Sequence, residues 1–239
     1  MPTYSAPGSD EDRLAVLKTL LSATAADASL NALLPATLRT SISTFVTGYE
    51  PVVQAGAAAE AGRAKEVKEK DAAQEKLGTY ARDFFEVLKR RTEREEHNVA
   101  VLVHYGLTQA GDVPKMRAAD DLVKAASGIV TGETAAVAAG FPAMTNPSAA
   151  QVDAMLQSFT KESGEVKPAD AKVRAAQDAV AKLRDGADDL ISDAKDEVSH
   201  ALRKEDAPTI RRVLRQLGYT FTPKPGEQPE PPPVAPPAQ

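Results

Sequence analysis

Apolar residues recur along this chain at steps of three and four, the period of an α-helix rather than of a strand. Over about 11–24, Leu14, Val16, Leu17, Leu20 and Leu21 make one apolar face. Ser9-Asp10 stands where such a helix needs a cap. Asp27-Ala-Ser-Leu-Asn31 punctuates, and Leu33 to Thr47 is helical again. Gly48 and Pro51 then interrupt. An interior proline costs about 3 kcal/mol outside a first turn, so Pro51 reads as the start of the next helix or as a kink. From about 52 to 105 there is no further proline, and Ala, Glu, Lys, Arg and Gln dominate. Ala73, Leu77, Tyr80, Ala81, Phe84 and Leu88 repeat at helical spacing within a helix of roughly 75–80 Å that Gly106 would stop.

Residues 107–147 break this regularity. Gly111, Pro114, Gly128, Gly132, Gly140, Pro142 and Pro147 divide them, leaving room for short helices over Lys115–Ala126 and Thr131–Ala139. Ser148 and Gln151 have capping-box spacing behind Pro147, which predicts a helix to about 163, before Gly164 and Pro168. The cleanest pattern lies over 168–204. Val173, Ala176, Val180, Leu183, Ala187, Leu190 and Ala194, then Ala201, follow a heptad seam that breaks at Glu197 with Val198 beside it. A short helix follows Asp206-Ala-Pro208 and runs to Leu217, where Gly218 ends it. Residues 223–239 hold eight of the seventeen prolines, a polyproline or disordered composition. The two long segments share a loose outline, an aromatic, a proline, then an Ala-rich charged helix. That is a hint of internal duplication which composition alone also produces.

Composition narrows the chemistry. Alanine supplies 43 of 239 residues, aromatics are 5%, and there is no Trp. Much of the apolar surface is therefore methyl groups, and an Ala-rich seam buries little area per residue. That is the physical reason to expect oligomers or a stable partner. No Cys is present, which removes disulfides, thiol nucleophiles and cysteine-ligated metals. A net charge of -5 gives no overall basic footprint for nucleic acid. The start of the chain is polar and acidic, and no run approaches the 18 apolar residues of a membrane span, so the default compartment is the cytoplasm.

Three histidines are available, His97, His104 and His200. Glu93-Arg94-Glu95-Glu96-His97 and Asp196-Glu197-Val198-Ser199-His200 end the two long segments. A carboxylate metal bundle needs Glu-x-x-His on two helices plus a Glu from each of two more. Arg94 breaks the first match, while Glu197 and His200 keep the spacing. His97 and His104 are about 10 Å apart along a helix, too far to share an ion, and a histidine in a last helical turn is explained by free carbonyls. No phosphate loop and no Gly-x-Ser-x-Gly occurs. Arg211, Arg212 and Arg215 lie beside Ile210, Val213, Leu214 and Leu217, an amphipathic basic helix. It can touch a partner, or it can pack on the bundle with its arginines paired to acids. Ala125 to Met144 is apolar and small, but Glu133, glycines and Pro142 interrupt it as a membrane segment. Pro233-Val-Ala-Pro236 has the spacing of a proline-groove ligand.

The expected fold is all-α, an elongated antiparallel helical bundle with two long coiled-coil-like arms. A flexible arm covers 1–9, one bundle domain covers 10–218, and a Pro-rich disordered tail covers 219–239. The expected function is non-enzymatic and structural or scaffolding, through helical packing surfaces and self-association. An adaptor that recruits a partner through the tail is the alternative, followed by a membrane-active helical protein. The seam residues above, with Leu77, Phe84 and Leu88, are the expected packing surface, and Arg211, Arg212 and Arg215 the possible partner contact. No catalytic, cofactor or metal residue is assigned, no small-molecule substrate is identified, and no nucleic acid is expected.

Overall fold

The computed structural model describes residues 3–222, and the fold is all-α. In order the elements are β1 (Thr3–Ser5), α1 (Asp10–Ala26), α2 (Ala28–Asn31), α3 (Ala36–Glu93), a 3-10 helix (Val99–Tyr105), α4 (Ala119–Ala138), α5 (Ala149–Ala201), α6 (Ala207–Gln216) and β2 (Thr220–Thr222). The single helical domain expected over 10–218 is built as two compact units, one from residues up to Ala59 with those from Val173 on, the other from Glu60–Lys172.

The long helices differ from expectation at their prolines. The separate helices expected before Gly48 and after Pro51 are one helix, α3, and those expected on either side of Pro168 are one helix, α5. Each proline removes a single ladder bond, and both rings face solvent, where the freed carbonyl can bind water. Gly164 lies four residues before Pro168, where the ring crowds the backbone. Helix α3 also stops at Glu93 rather than near 105. Beyond it Glu95 is left-handed, at φ 62°, and 99–105 tightens to a 3-10 helix.

In the first unit α1 starts on a capping box. Ser9 Oγ accepts from the Asp12 N–H at 3.1 Å, and the Asp12 carboxylate accepts from the Ser9 N–H at 3.2 Å. Leu17 and Leu20 of α1, Ile42 and Tyr49 of α3, Ile191 and Val198 of α5, and Leu217 share one core. Phe45 touches Gly186, and Gly56 faces Val180, so α3 and α5 run antiparallel here. An added Cβ at Gly186 would sit 3.1 Å from the Phe45 ring, which explains a glycine inside a helix.

Part of each chain segment expected to be loose is ordered within this unit, Thr3–Ser5 of the first and 219–222 of the second. Thr3–Ser5 of the expected flexible arm pairs antiparallel with Thr220–Thr222, Tyr4 opposite Phe221. Tyr4 packs with its ring tilted against Tyr219 at 5.8 Å and Phe221 at 6.0 Å. Tyr219, in the expected tail, is buried and donates its hydroxyl to the Ile191 carbonyl at 2.6 Å. Tyr4 from one segment and Tyr219 and Phe221 from the other thus hold both to the bundle. The remaining expected tail, 223–239, lies outside the described residues.

In the second unit Leu77, Phe84, Phe85 and Leu88 of α3 share a core with Leu102 and Tyr105 of the 3-10 helix, Leu122 and Ile129 of α4, and Val152 and Phe159 of α5. The two short helices expected over 115–139 are one, α4. It runs through Gly132 because the Tyr105 ring and the His104 carbonyl press there, at 2.6 and 2.8 Å from where a Cβ would lie. Helix α5 begins on the expected Ser148/Gln151 box, with the Ser148 N–H donating to Gln151 Oε1 at 2.8 Å and the Gln151 N–H to Ser148 Oγ at 3.2 Å.

Candidate functional site

The predicted packing residues fall into different cores. Val180, Ala187 and Ala194 are buried in the first, while Val173, Ala176, Leu183 and Leu190 are half-buried. Leu77, Phe84 and Leu88 are fully buried in the second. The buried stripe of α5 runs through Val180, Ala187, Ile191, Ala194 and Val198. It slides off the heptad by one position at Ile191, because an α-helix of 3.6 residues per turn drifts against a strict seven-residue repeat. The break at Glu197 is that drift: Val198 is buried and Glu197 is exposed.

The basic helix is partly engaged. Arg215 lies over the Phe221 ring at 5.5 Å, Arg211 is half-buried, and Arg212 is exposed. Asp206 caps α6, accepting from the Thr209 N–H at 2.8 Å, and hydrogen bonds from the Thr209 side chain first and its backbone second hold the carboxyl below the usual range. Glu197 and His200 line an open groove with Asp193, Asp196 and Leu38, and His200 Nε2 sits 3.3 Å from an Arg203 nitrogen. His104 packs edge-on to Phe141 at 5.5 Å. Residues 125–144 lie largely in α4, whose Leu122, Ala126, Ile129 and Ala136 are buried in the second core. Among the described residues no helix is long and apolar enough to cross a membrane.

Two charged constellations were not visible in the sequence. In the first unit Arg13 grips Asp188 through two nitrogens at 2.7 and 3.1 Å, and Arg184 grips Asp10 at 2.9 and 2.7 Å. Tyr49 donates to Asp10 at 3.2 Å. Desolvation, with the Asp10 charge beside it, pushes the Tyr49 hydroxyl up to about 12. The hydrogen bond from Arg184 holds the Asp10 carboxyl below its usual value. Every member has a partner, so this is a clamp across α1, α3 and α5.

The other constellation lies in the second unit, on residues 60–72 of α3 and 160–172 of α5. Arg63 pairs with Asp170 across the helices. Carboxylate oxygens of Glu66, Glu162 and Glu165 come within 4.8 Å of one another, the one such cluster with metal-ligating geometry among the described residues. Lys161 sits 2.9 Å from Glu162 and 3.5 Å from Glu165, and Lys65 lies 4.0 Å from Glu66 and 3.5 Å from Glu69. These two ammonium groups place positive charge beside the cluster, and Glu66 Oε2 is left without a hydrogen-bond partner. The meeting of Glu162 and Glu165 with Glu66, 96 and 99 residues away, was not legible.

This stretch has little core. Ala169 is its one buried residue, Val67 and Val166 are half-buried, and the outer positions alternate in charge sign. Compared with protein-family models, curated proteins and solved structures, the chain matches none.

Proposed function

We propose that the protein is a non-enzymatic structural or scaffolding protein of the cytoplasm that works through its helical surfaces and self-associates. The observation that carries this is the helix pair 60–72 and 160–172, which buries Ala169 alone. Two helices that bury so little apolar area gain stability from whatever covers them. The surface offers both signs of charge at helical spacing, Lys65 with Glu69 and Lys161 with Glu165. A patch of mixed sign can meet its own copy across a two-fold axis with opposite charges facing. Light scattering after size exclusion, run over a hundredfold range of concentration, tests the proposal. A mass that rises with concentration, and falls in K65E/K161E, supports it. A monomer mass at every concentration overturns it.

An adaptor role has one observation in its favour. Tyr219 and the β1–β2 pair fix the chain immediately before the Pro-rich segment, so that segment starts from an anchored point. Deleting 223–239 separates the two: a scaffold still assembles, whereas an adaptor loses its second partner.

A further inference from the structure

His97 follows the end of α3 and is 96% removed from solvent, with a relative exposure of 4%. Its Nε2 lies 3.4 Å from a terminal nitrogen of Arg91. A guanidinium only donates, so Nε2 accepts and the ring hydrogen is on Nδ1. Nδ1 is buried and has no hydrogen-bond partner. The same Arg91 nitrogen donates to Met144 Sδ at 3.7 Å, and its other terminal nitrogen donates to Thr145 Oγ1 at 3.3 Å. Arg91 therefore ties the end of α3 to the segment that leads into α5, and neutral His97 completes its seat. The turn between them is itself under tension: Glu95 is left-handed, and both the Glu96 and His97 N–H groups donate to the Arg91 carbonyl, at 3.0 and 3.2 Å.

We propose that His97 and Arg91 form a proton-operated latch between the end of α3 and residues 144–145. Protonating Nε2 places a second cation against Arg91 and removes the acceptor that Arg91 donates to. The charged groups that face His97 are Arg91 from α3, Glu96 from the turn and Glu133 from α4. Glu133 is already engaged, accepting from the Tyr105 hydroxyl and from the Met144 N–H at 2.7 Å. Glu96 is exposed and only 3.9 Å from Arg91, which it serves instead. Both acids favour the imidazolium, but burial and the Arg91 charge outweigh them. Burial first, and Arg91 second, lower the pKa of His97. The fold thus selects the neutral ring. The latch is whole above about pH 6.5, and the opening equilibrium grows by up to about tenfold per pH unit below it, until the native pKa is passed.

Hydrogen exchange of the full chain, corrected for intrinsic rates between pH 7.5 and 5, is the test, together with NMR titration of the histidine rings. The expected result is loss of protection over 95–107 and 141–147 as pH falls, with protection over 187–198 unchanged. In H97Q, whose amide oxygen can accept from Arg91 but takes up no proton, that loss disappears. Equal loss in wild type and H97Q, or no loss in wild type, overturns the latch. Should H97Q not fold, the wild-type ring decides. A midpoint clearly below 6.5 that tracks the loss of protection supports the proposal, and a midpoint at or above 6.5 overturns it.

Discussion

In the first unit the buried Tyr219 donates to a helix carbonyl, Tyr49 donates to Asp10, and Thr24 donates to the Leu20 carbonyl at 2.7 Å. In the second, His97 Nδ1 and Glu66 Oε2 are buried without partners, and Glu95 stands in a left-handed conformation. The apolar cores are built alike, from leucines, aromatics and small residues on helices. The difference lies in polar satisfaction. A buried polar group that finds a partner holds a core in one arrangement, and one that does not marks where an arrangement can change. Both buried side-chain atoms without a partner among the described residues lie in the second unit.

The comparison breaks most severely at Ile191. Its side chain is 3% exposed in the first core, whereas Leu190 and Leu183 are half-buried. Ile191→Asp should cost about 4 kcal/mol or more, through an unpaired buried charge. Leu190→Asp and Leu183→Asp should each cost about half of that, since their carboxylates can reach water. Urea unfolding of the three variants measures the order. Equal losses would mean that α5 keeps the heptad seam and not the drifted stripe.

Next in size is Gly132 in the second unit. Gly132→Ala drives a methyl into Tyr105 and the His104 carbonyl and should destabilise by about 2–3 kcal/mol. Gly128, on the same helix, has nothing within 4 Å of an added Cβ, and Gly128→Ala should stabilise by about 1 kcal/mol. Opposite signs in melting temperature from two glycines four residues apart would establish the α4 packing. Two gains would show that the 3-10 helix does not press on α4 there.

The pH response separates the units more finely. Asp10 has a native pKa below its usual 3.8, so its contribution is complete above that value and is lost as pH falls through the lower native one. The His97 effect also lowers stability as pH falls, but its window opens near 6.5. Asp10→Asn should lower the melting temperature by about 2 °C at neutral pH and flatten the acid limb below pH 4. The response between pH 5 and 6.5 should stay as it is. Thermal melts across pH check this, and a change in the upper window would mean that the two units do not respond separately.

Helix type and the inward faces were legible because a 3.6-residue period is local information, as Leu17, Leu77 and Phe84 show. So were the caps at Ser9, Ser148 and Asp206, where one side chain serves the amide three residues on. What the sequence hid was whatever depends on distant residues. Pro51 and Pro168 stopped no helix, because each ring faces solvent and removes one ladder bond from a helix of more than fifty residues. Thr3–Ser5 looked loose because its partner is 215–219 residues away. The meeting of Glu66 with Glu162 and Glu165, and of His97 with Met144 through Arg91, needs the fold itself.

The end of α3 offers the most direct probe of strain in the second unit. Four elements end with the same pair of backbone bonds, in which a left-handed residue donates three residues back and its successor donates five back. At Gly106, Gly140 and Gly218 the left-handed residue is glycine, with φ of 70°, 89° and 95°. At the end of α3 it is Glu95, with φ 62°, donating to Thr92 while Glu96 donates to Arg91. A left-handed residue with a Cβ carries a penalty of roughly 1 kcal/mol that glycine avoids. Glu95 is exposed, so no packing is lost on removing its side chain. Glu95→Gly should therefore stabilise the chain by about 1 kcal/mol, while Gly106→Ala, where a Cβ meets nothing within 4 Å, should cost a similar amount through φ alone. Since the turn at Glu95 presents the His97 and Glu96 amides to Arg91, relieving it should also slow exchange over 95–98. If Glu95→Gly instead speeds that exchange, the side chain and not the turn holds the end of α3, and the tension assigned to the latch is absent.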